Sequence, residues 1–289
     1  MAQIKRIPQT FLALVEESLS ADLIDPGENK RFVDGLTHRK VLPWTVIAQA
    51  YDGRYGIQPD GRTMTRTEEG GAFIVGANTW MTIVHHAAAK GGIMKGRWVH
   101  IHFSVFGSFD YLSFFDLPLT VNASIGTAAG AIIIEMLSDP YTDTASPFPR
   151  IARKKARAFR LLDLITQAAP FRSERAGFLR HARHLGPALA FVKTKMGTHF
   201  EAKDIADAAG LSVSHLHALF KKHLGVTPMD HVRDVRLSEA RYRIVAERDT
   251  LADIAQRTGF SDQFHLSRAF KEKYGISPSD FRRQHDASM

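Results

Sequence analysis

Two stretches of the chain gather side chains whose chemistry suits the base edges and phosphates of a nucleic acid. Residues 210–225, GLSVSHLHALFKKHLG, carry Ser214, His215, His217, Lys221 and Lys222. Residues 259–275, GFSDQFHLSRAFKEKYG, carry Gln263, Phe264, Ser267, Arg268 and Lys271. Gln, Ser, His and Arg can hydrogen-bond base edges, and the Arg268 fork fits guanine O6 and N7. Phe264 is an odd residue for a solvated helix but suits the methyl group of thymine. The lysines are better placed for phosphates, which add affinity without sequence information. A third group lies far upstream: Trp80, His85, Trp98, His100 and His102. His100 and His102 share one face of a strand, because successive side chains alternate. With the indoles they could line a pocket for a small polar effector such as a sugar. Core histidines satisfied by backbone would look the same.

A repeat positions the first two groups. Asp204-Ile205-Ala206 precedes Gly210-Leu211-Ser212, and Asp253-Ile254-Ala255 precedes Gly259-Phe260-Ser261, at an offset of 49. One extra residue then makes the offset 50, matching Leu216 with Leu266, Phe220 with Phe270, Gly225 with Gly275 and Pro228 with Pro278. Each copy reads as a short helix, a glycine turn and a second helix, a helix-turn-helix. Glycine suits the left-handed turn position, and Ser212 and Asp262 are placed to cap the second helices. The spacing predicts burial of Leu216, Leu219 and Phe220, and of Leu266, Ala269 and Phe270, so the base-reading residues face outward. Compact helical packing alone could produce one such unit, but it gives no reason for two in register. Between them, residues 228–246 predict a helix of 19 residues, roughly 28 Å long. That approaches the roughly 34 Å between successive major-groove faces on one side of DNA.

The 289-residue chain carries a net charge of +8 and is 44% hydrophobic, enough apolar content for packed cores. Residues 1–149 hold 12 Lys/Arg against 15 Asp/Glu, residues 150–180 hold 9 against 2, and residues 181–289 hold 17 against 13. The basic character thus sits where a polyanion would dock, although a solvated basic surface has the same composition. There are no cysteines, which excludes disulfides, thiolate catalysis and cysteine zinc sites and fits a reducing cytoplasm. The apolar run near the start is broken by Glu16 and Glu17, and no stretch of about 20 apolar residues offers a membrane span. A soluble, cytoplasmic protein without a membrane partner is expected.

Runs at 44–51, 71–75, 80–86, 98–106 and 117–121 are rich in β-branched and aromatic residues, with Gly/Asp/Asn clusters between them. They predict a small sandwich or barrel over about 40–122. Helical periodicity follows at about 123–137 and 151–168, the latter with Phe159, Leu162 and Ile165 on one stripe. Arginine-rich residues 170–186 read as a linker, and residues 187–289 as seven short helices. The expected fold class is α+β in two domains: a β-rich domain with helices over 1–169, and an all-α domain with two helix-turn-helix units over 187–289.

On these residues the last third of the chain resembles the DNA-binding domain of the AraC/XylS family of bacterial transcription regulators. The second unit carries it most fully, with Asp253-Ile254-Ala255, Gly259-Phe260, Arg268-Ala269-Phe270-Lys271, Gly275-Ile276-Ser277-Pro278 and Phe281-Arg282. Ala218 departs from the pattern, since a longer side chain there would read more; the first unit is expected to add grip and the second specificity. The resemblance implies double-stranded DNA, a small-molecule effector and RNA polymerase as partners, a homodimer, and activation as the commoner outcome. It also implies a cupin-like barrel at the front, followed by a dimerising helix pair at 123–137 and 151–168; the second of these could instead pack on its own barrel. A rival reading is a metal-dependent cupin-type enzyme with a helical appendage, its metal held by His85, His100 and His102. Such enzymes pair the HxH with a glutamate four residues on, where this chain has Phe106. No Ser/His/Asp order, phosphate-binding glycine loop or close carboxylate pair supplies another chemistry. The expectation is therefore no catalysis, no metal and no cofactor.

Overall fold

The computed structural model describes residues 9–105, 109–138, 148–172, 182–246 and 249–286. The chain divides into two compact units: a β-rich one built from Ser20–Ser104 and Asp110–Arg172, and a helical one holding the rest. In the β-rich unit, strands β1 (Ser20–Val33), β3 (Thr45–Asp52), β6 (Ala72–Val75), β8 (Ile93–Val105) and β10 (Thr120–Val121) form an antiparallel sheet in the order β1-β8-β3-β6-β10, with β9 (Phe109–Asp110) also on β8. A second sheet runs β2-β7-β4-β5, from β2 (Thr37–Val41), β7 (Trp80–His86), β4 (Arg54–Pro59) and β5 (Thr65–Arg66).

Register decides which residues meet. On β8, His100 pairs with Asp25 of β1 and Val46 of β3, and Trp98 pairs with Gly27 and Ala48. Paired residues point the same way, so Trp98, His100 and His102 share a face with Ala48 and, through it, Phe73 of β6. That face meets the second sheet: the Phe73 ring lies 5.0 Å from Tyr55 of β4. The alternate residues Val99, Ile101 and Phe103 are fully buried on the other side. There, α2 (Ala123–Leu137) and α3 (Phe148–Gln167) cover the larger sheet. Phe103 approaches Phe159 of α3 at 6.0 Å, and the Arg97 Nη1 donates to the Gly130 carbonyl of α2 at 3.4 Å. Asn122 caps α2 by accepting from the Ile125 amide.

The strands expected at 44–51, 71–75 and 80–86 and both helices of this unit form close to their expected bounds. Of the sandwich or barrel expected over about 40–122, the described residues form two sheets and no closed barrel, and the strands start at Ser20. The 14-residue β1 contains Pro26-Gly27 and alternating charges, a loop composition, and long pairing with β8 holds it extended. The buried stripe of α3 is Ala158, Leu161, Leu162 and Ile165; Phe159 stands at its edge, 36% exposed. Residues 173–181 of the expected linker lie outside the described residues, as does Phe106, and the linker's last residues already belong to a helix.

The helical unit opens with α1 (Gln9–Ser18), which packs on α4 (Ala182–Thr194) rather than joining the β-rich unit. Then follow α5 (Ala202–Ala208), α6 (Val213–Leu224), α7 (Pro228–Ala246), α8 (Leu251–Arg257), α9 (Gln263–Tyr274) and α10 (Pro278–Asp286). The helix α7 is more than a spacer. It packs on α4, α5 and α6 of the first unit and on α8, α9 and α10 of the second, with Val232, Leu237, Ala240 and Ile244 buried.

The two turn glycines differ in a way their shared motif conceals. Gly210 and Gly259 both adopt left-handed backbone, φ 65° and 76°. A Cβ at Gly210 would meet nothing within 4 Å, whereas one at Gly259 would overlap the Met196 carbonyl oxygen and stand 2.8 Å from the Arg236 guanidinium carbon. The second turn is therefore pressed against the first unit. Gly210→Ala is expected to cost only the backbone term, about 1–2 kcal/mol. Gly259→Ala adds an overpacking term of about 1–3 kcal/mol. Denaturation of the two variants should rank them in that order; equal losses would contradict the close approach.

Candidate nucleic-acid interface

The helices α6 and α9 present the candidate side chains, and their first turns show how. Ser212 accepts from the His215 amide, and Asp262 accepts from the amides of Phe264 and His265. These amide bonds, the His265 one foremost, hold the Asp262 carboxyl below its ordinary range. Each helix ends on a left-handed glycine, Gly225 or Gly275, whose amide returns to the carbonyl of Lys221 or Lys271. Leu216, Leu219 and Phe220, and their counterparts Leu266, Ala269 and Phe270, are buried as the spacing predicts.

The opposite faces are open. Ser214, His215, Lys221 and Lys222 are exposed and His217 is half-buried; Gln263, Phe264, Arg268 and Lys271 are exposed and Ser267 is half-buried. Phe264 leaves 67% of its surface to solvent. Cations elsewhere in this unit pair with acids across helices: Arg233 with Glu272, Lys273 with Asp234, and Lys193 with Glu239. Lys221, Lys222, Arg268 and Lys271 form no salt bridge among the described residues. The structure thus separates the cations that hold the domain together from those available to a phosphate backbone.

Several residues set this geometry in ways that the sequence motif alone does not reveal. Arg236 of α7 donates to the carbonyls of Met196 (3.1 Å) and Thr198 (2.7 Å), beyond the end of α4. Arg282 of α10 does the same to Ile244 (3.1 Å) and Asp249 (2.7 Å), around the end of α7. In each unit an arginine after the recognition helix thus ties down orphan carbonyls at the end of the unit's first helix. Arg241 of α7 is fully buried, 4.4 Å from the centre of the Tyr274 ring, and burial lowers its pKa. Reciprocal caps open four helices: Glu201 with Asp204, Thr227 with Asp230, Thr250 with Asp253 and Ser277 with Asp280. Three of these four were legible as a Ser or Thr followed three residues later by Asp.

Residues 205–284 match the family model described as a helix-turn-helix domain. The activator RhaS of Enterobacter sp. (strain 638) is 30% identical over 113 residues, 39% of this chain and 41% of that protein. The arabinose operon regulatory protein of Salmonella typhimurium is 36% identical over 85 residues, 29% of this chain and 30% of that protein. The C-terminal domain is an AraC-type helix-turn-helix domain. The chain spans less than half the length of these curated relatives. A solved structure of ToxT from Vibrio cholerae, bound to (E)-4-(8-methylnaphthalen-1-yl)but-3-enoic acid, aligns with 93% of this chain and 99% of its own at TM-score 0.52 and 11% identity. At that identity the likeness is one of fold alone.

The upstream group does not come together as one site. Trp80 and His85 lie on opposite faces of β7, whose burial alternates along its length. Trp80 faces outward, its ring 4.7 Å from the Arg39 guanidinium. It therefore leaves the expected effector group. His85 points inward and is 3% exposed. Its Nδ1–H donates to the Leu36 carbonyl at 3.0 Å, and its ring packs 4.1 Å from Phe32. Trp98, His100 and His102 do share an inward face; His100 Nδ1 lies 3.2 Å from Asp25, and His102 Nε2 lies 4.0 Å from Asp22. Among the described residues, no group of three or more His, Asp or Glu is arranged to hold a metal ion.

Burial pushes the pKa of His85 down to about 4, and desolvation also lowers those of His38 and His100. An unfolded histidine titrates near 6.5. Between these values the unfolded chain binds more protons, so the β-rich unit is at full stability above pH 6.5 and loses it as pH falls toward 4. His85→Gln, neutral at every pH, should lie furthest below the parent above pH 6.5, with the gap in melting temperature narrowing by pH 4.5. A gap independent of pH would contradict this role for His85.

Proposed function

We propose that the chain is a one-component transcription regulator, whose helical domain reads double-stranded DNA and whose β-rich domain binds a small effector that controls it. The observation that carries this reading is the pair of recognition helices, each with unpaired cations and base-reading side chains on one open face, joined through a single shared helix. The names of the relatives agree with it: RhaS is a transcriptional activator, and the Salmonella protein regulates an operon. ToxT, which shares the two-domain fold, was solved with a small organic acid bound. Activation through contact with RNA polymerase is the outcome that fits these relatives.

In this reading Gln263, Phe264, Ser267 and Arg268 read bases in one major groove, and Lys271 holds a phosphate. Ser214, His215 and His217 face the neighbouring groove with Lys221 and Lys222 on its backbone. The short Ala218 leaves the first helix with less reach. A homodimer would use α2 and α3, where Ile134, Leu137, Phe148 and Ile151 are 40–75% exposed, more apolar surface than a solvated helix pair needs.

Arg268→Ala should weaken binding to a selected DNA site by ~1–3 kcal/mol and relax the choice at one base pair. Lys271→Ala should weaken specific and random DNA alike and lower the slope of log affinity against log salt by about one. Binding titrations on both DNAs at several salt concentrations separate these roles. Equal loss on both DNAs for the arginine variant, or a flat salt dependence for the parent, would contradict the reading.

A further inference from the structure

The inward faces of the two sheets carry a charge arrangement that a neutral sugar does not require. On β2, His38 and Lys40 alternate with the exposed Thr37 and Arg39, and they pair with Ile83 and Met81 on the buried face of β7. His38 and Lys40 therefore point between the sheets, beside His85, whose ring meets His38 edge-on at 5.2 Å. Opposite them stand Trp98 and His100 of β8. Trp44 closes on His100 at 5.6 Å, and Phe32 lies 6.2 Å from Trp98. Further across this interface Ile57 and Phe73 are sealed, each at most 1% exposed. Here Lys40, His38 and Trp98 are half-buried, and the His100 and His102 side chains keep 15% and 27% exposure. This end of the sandwich is open to solvent.

Lys40 is the group that decides the chemistry. Desolvation lowers the pKa of its ammonium, whose charge in turn acts on His38, His85 and His100. Largely desolvated lysines are ordinarily paired with an acid. The acids near this mouth, Asp25 and Asp22 of β1, are placed on His100 and His102, and Lys40 has no salt bridge among the described residues. What surrounds it is histidine and aromatic ring. The cluster has a positive point at one end and aromatic walls, and its two acids stand on the histidines rather than on Lys40.

We propose that the open end of the sandwich binds a small organic carboxylate with an aromatic body, its carboxylate on Lys40 and its ring between Trp44, Trp98 and Phe32. This rests on the reading of the β-rich domain as the effector domain, and it replaces a neutral sugar by an anion. The carboxylate accepts from the Lys40 ammonium and, on its other oxygen, from a neutral imidazole N–H. A charge-assisted bond in a desolvated setting is stronger than one between neutral groups, so charge rather than shape dominates the choice of ligand.

The test uses the full chain, 1-naphthoate and its neutral isostere 1-naphthamide, followed by quenching of tryptophan fluorescence, two of the three indoles being at the site. The expected result is saturable quenching by naphthoate with an affinity at least about tenfold tighter than for the amide. Lys40→Met should abolish that preference, by weakening naphthoate binding tenfold or more and amide binding less than twofold, while Lys40→Arg restores it. Unchanged melting temperatures of the variants without ligand show that the fold is intact. Equal binding of acid and amide, a preference that survives in Lys40→Met, or no saturable binding of naphthoate, benzoate or octanoate at millimolar concentration would each overturn the proposal. DNA binding by the same samples separates the two levels. Salt-dependent binding to a selected duplex without carboxylate binding removes this inference alone, and loss of both removes the regulator reading with it.

Discussion

Everything the helical domain can do with DNA depends on α7 belonging to two units at once. A helix-turn-helix needs a third helix to bury the apolar side of its recognition helix, and here Pro228–Ala246 serves as the last helix of one unit and the first of the next. Sharing one rod removes the hinge that a linker would have introduced. Arg236 and Arg282 reinforce this by holding carbonyls at or just past the ends of α4 and α7 in equivalent ways. The absence of a Cβ at Gly259 lets the second turn rest on the Met196 carbonyl of the first unit. The two open faces are thus tied to one rod. A loose pair would lose, as ordering entropy on binding, much of what the second set of contacts contributes.

The β-rich unit works by a different separation. The larger sheet gives one face to α2 and α3, where Val99, Ile101 and Phe103 are sealed, and its other face to the second sheet. The inter-sheet layer is apolar and closed at one end, aromatic and cationic at the other. A ligand seated there would touch β1, β2 and β8 together, and β1 and β8 belong to the sheet that carries the two helices. A change in how the sheets pack would thus reach α2 and α3, the elements with exposed Phe148 and Ile151. The same layer is what acid disturbs, because His85 and His100 are held there in their neutral form.

The sequence was most legible where one residue type has one structural use. Gly210 and Gly259 marked left-handed turns, Ser212 and Asp262 marked helix starts, and the spacing of Leu216, Leu219 and Phe220 marked a buried stripe with an open face opposite. It was least legible where a residue's role depends on a distant partner. β1 reads as a loop until β8 is beside it. Arg236 and Arg241 look like surface cations until the carbonyls of Met196 and Thr198, or the Tyr274 ring, stand against them. Lys40 passed unnoticed, because a lone lysine in a short run such as Thr-His-Arg-Lys-Val carries no sign of facing inward. The grouping of Trp80 with His85 is a different matter. Five residues apart on one strand, they must point to opposite faces, so the sequence already contained that correction.

We infer from the shared helix that the two recognition helices form one rigid reader spaced for successive major grooves. It is tested most directly on a duplex selected from random sequence, measured intact and with five base pairs inserted between its two protected halves. Five base pairs is about half a helical turn, which carries the second half-site to the far side of the duplex. The account predicts that a rigid reader loses at least tenfold in affinity on insertion of five base pairs and does not recover with ten, since a full turn restores the face of the duplex but not the spacing of the two halves. Affinity indifferent to the insertion would contradict it, showing that the two units bind independently of α7.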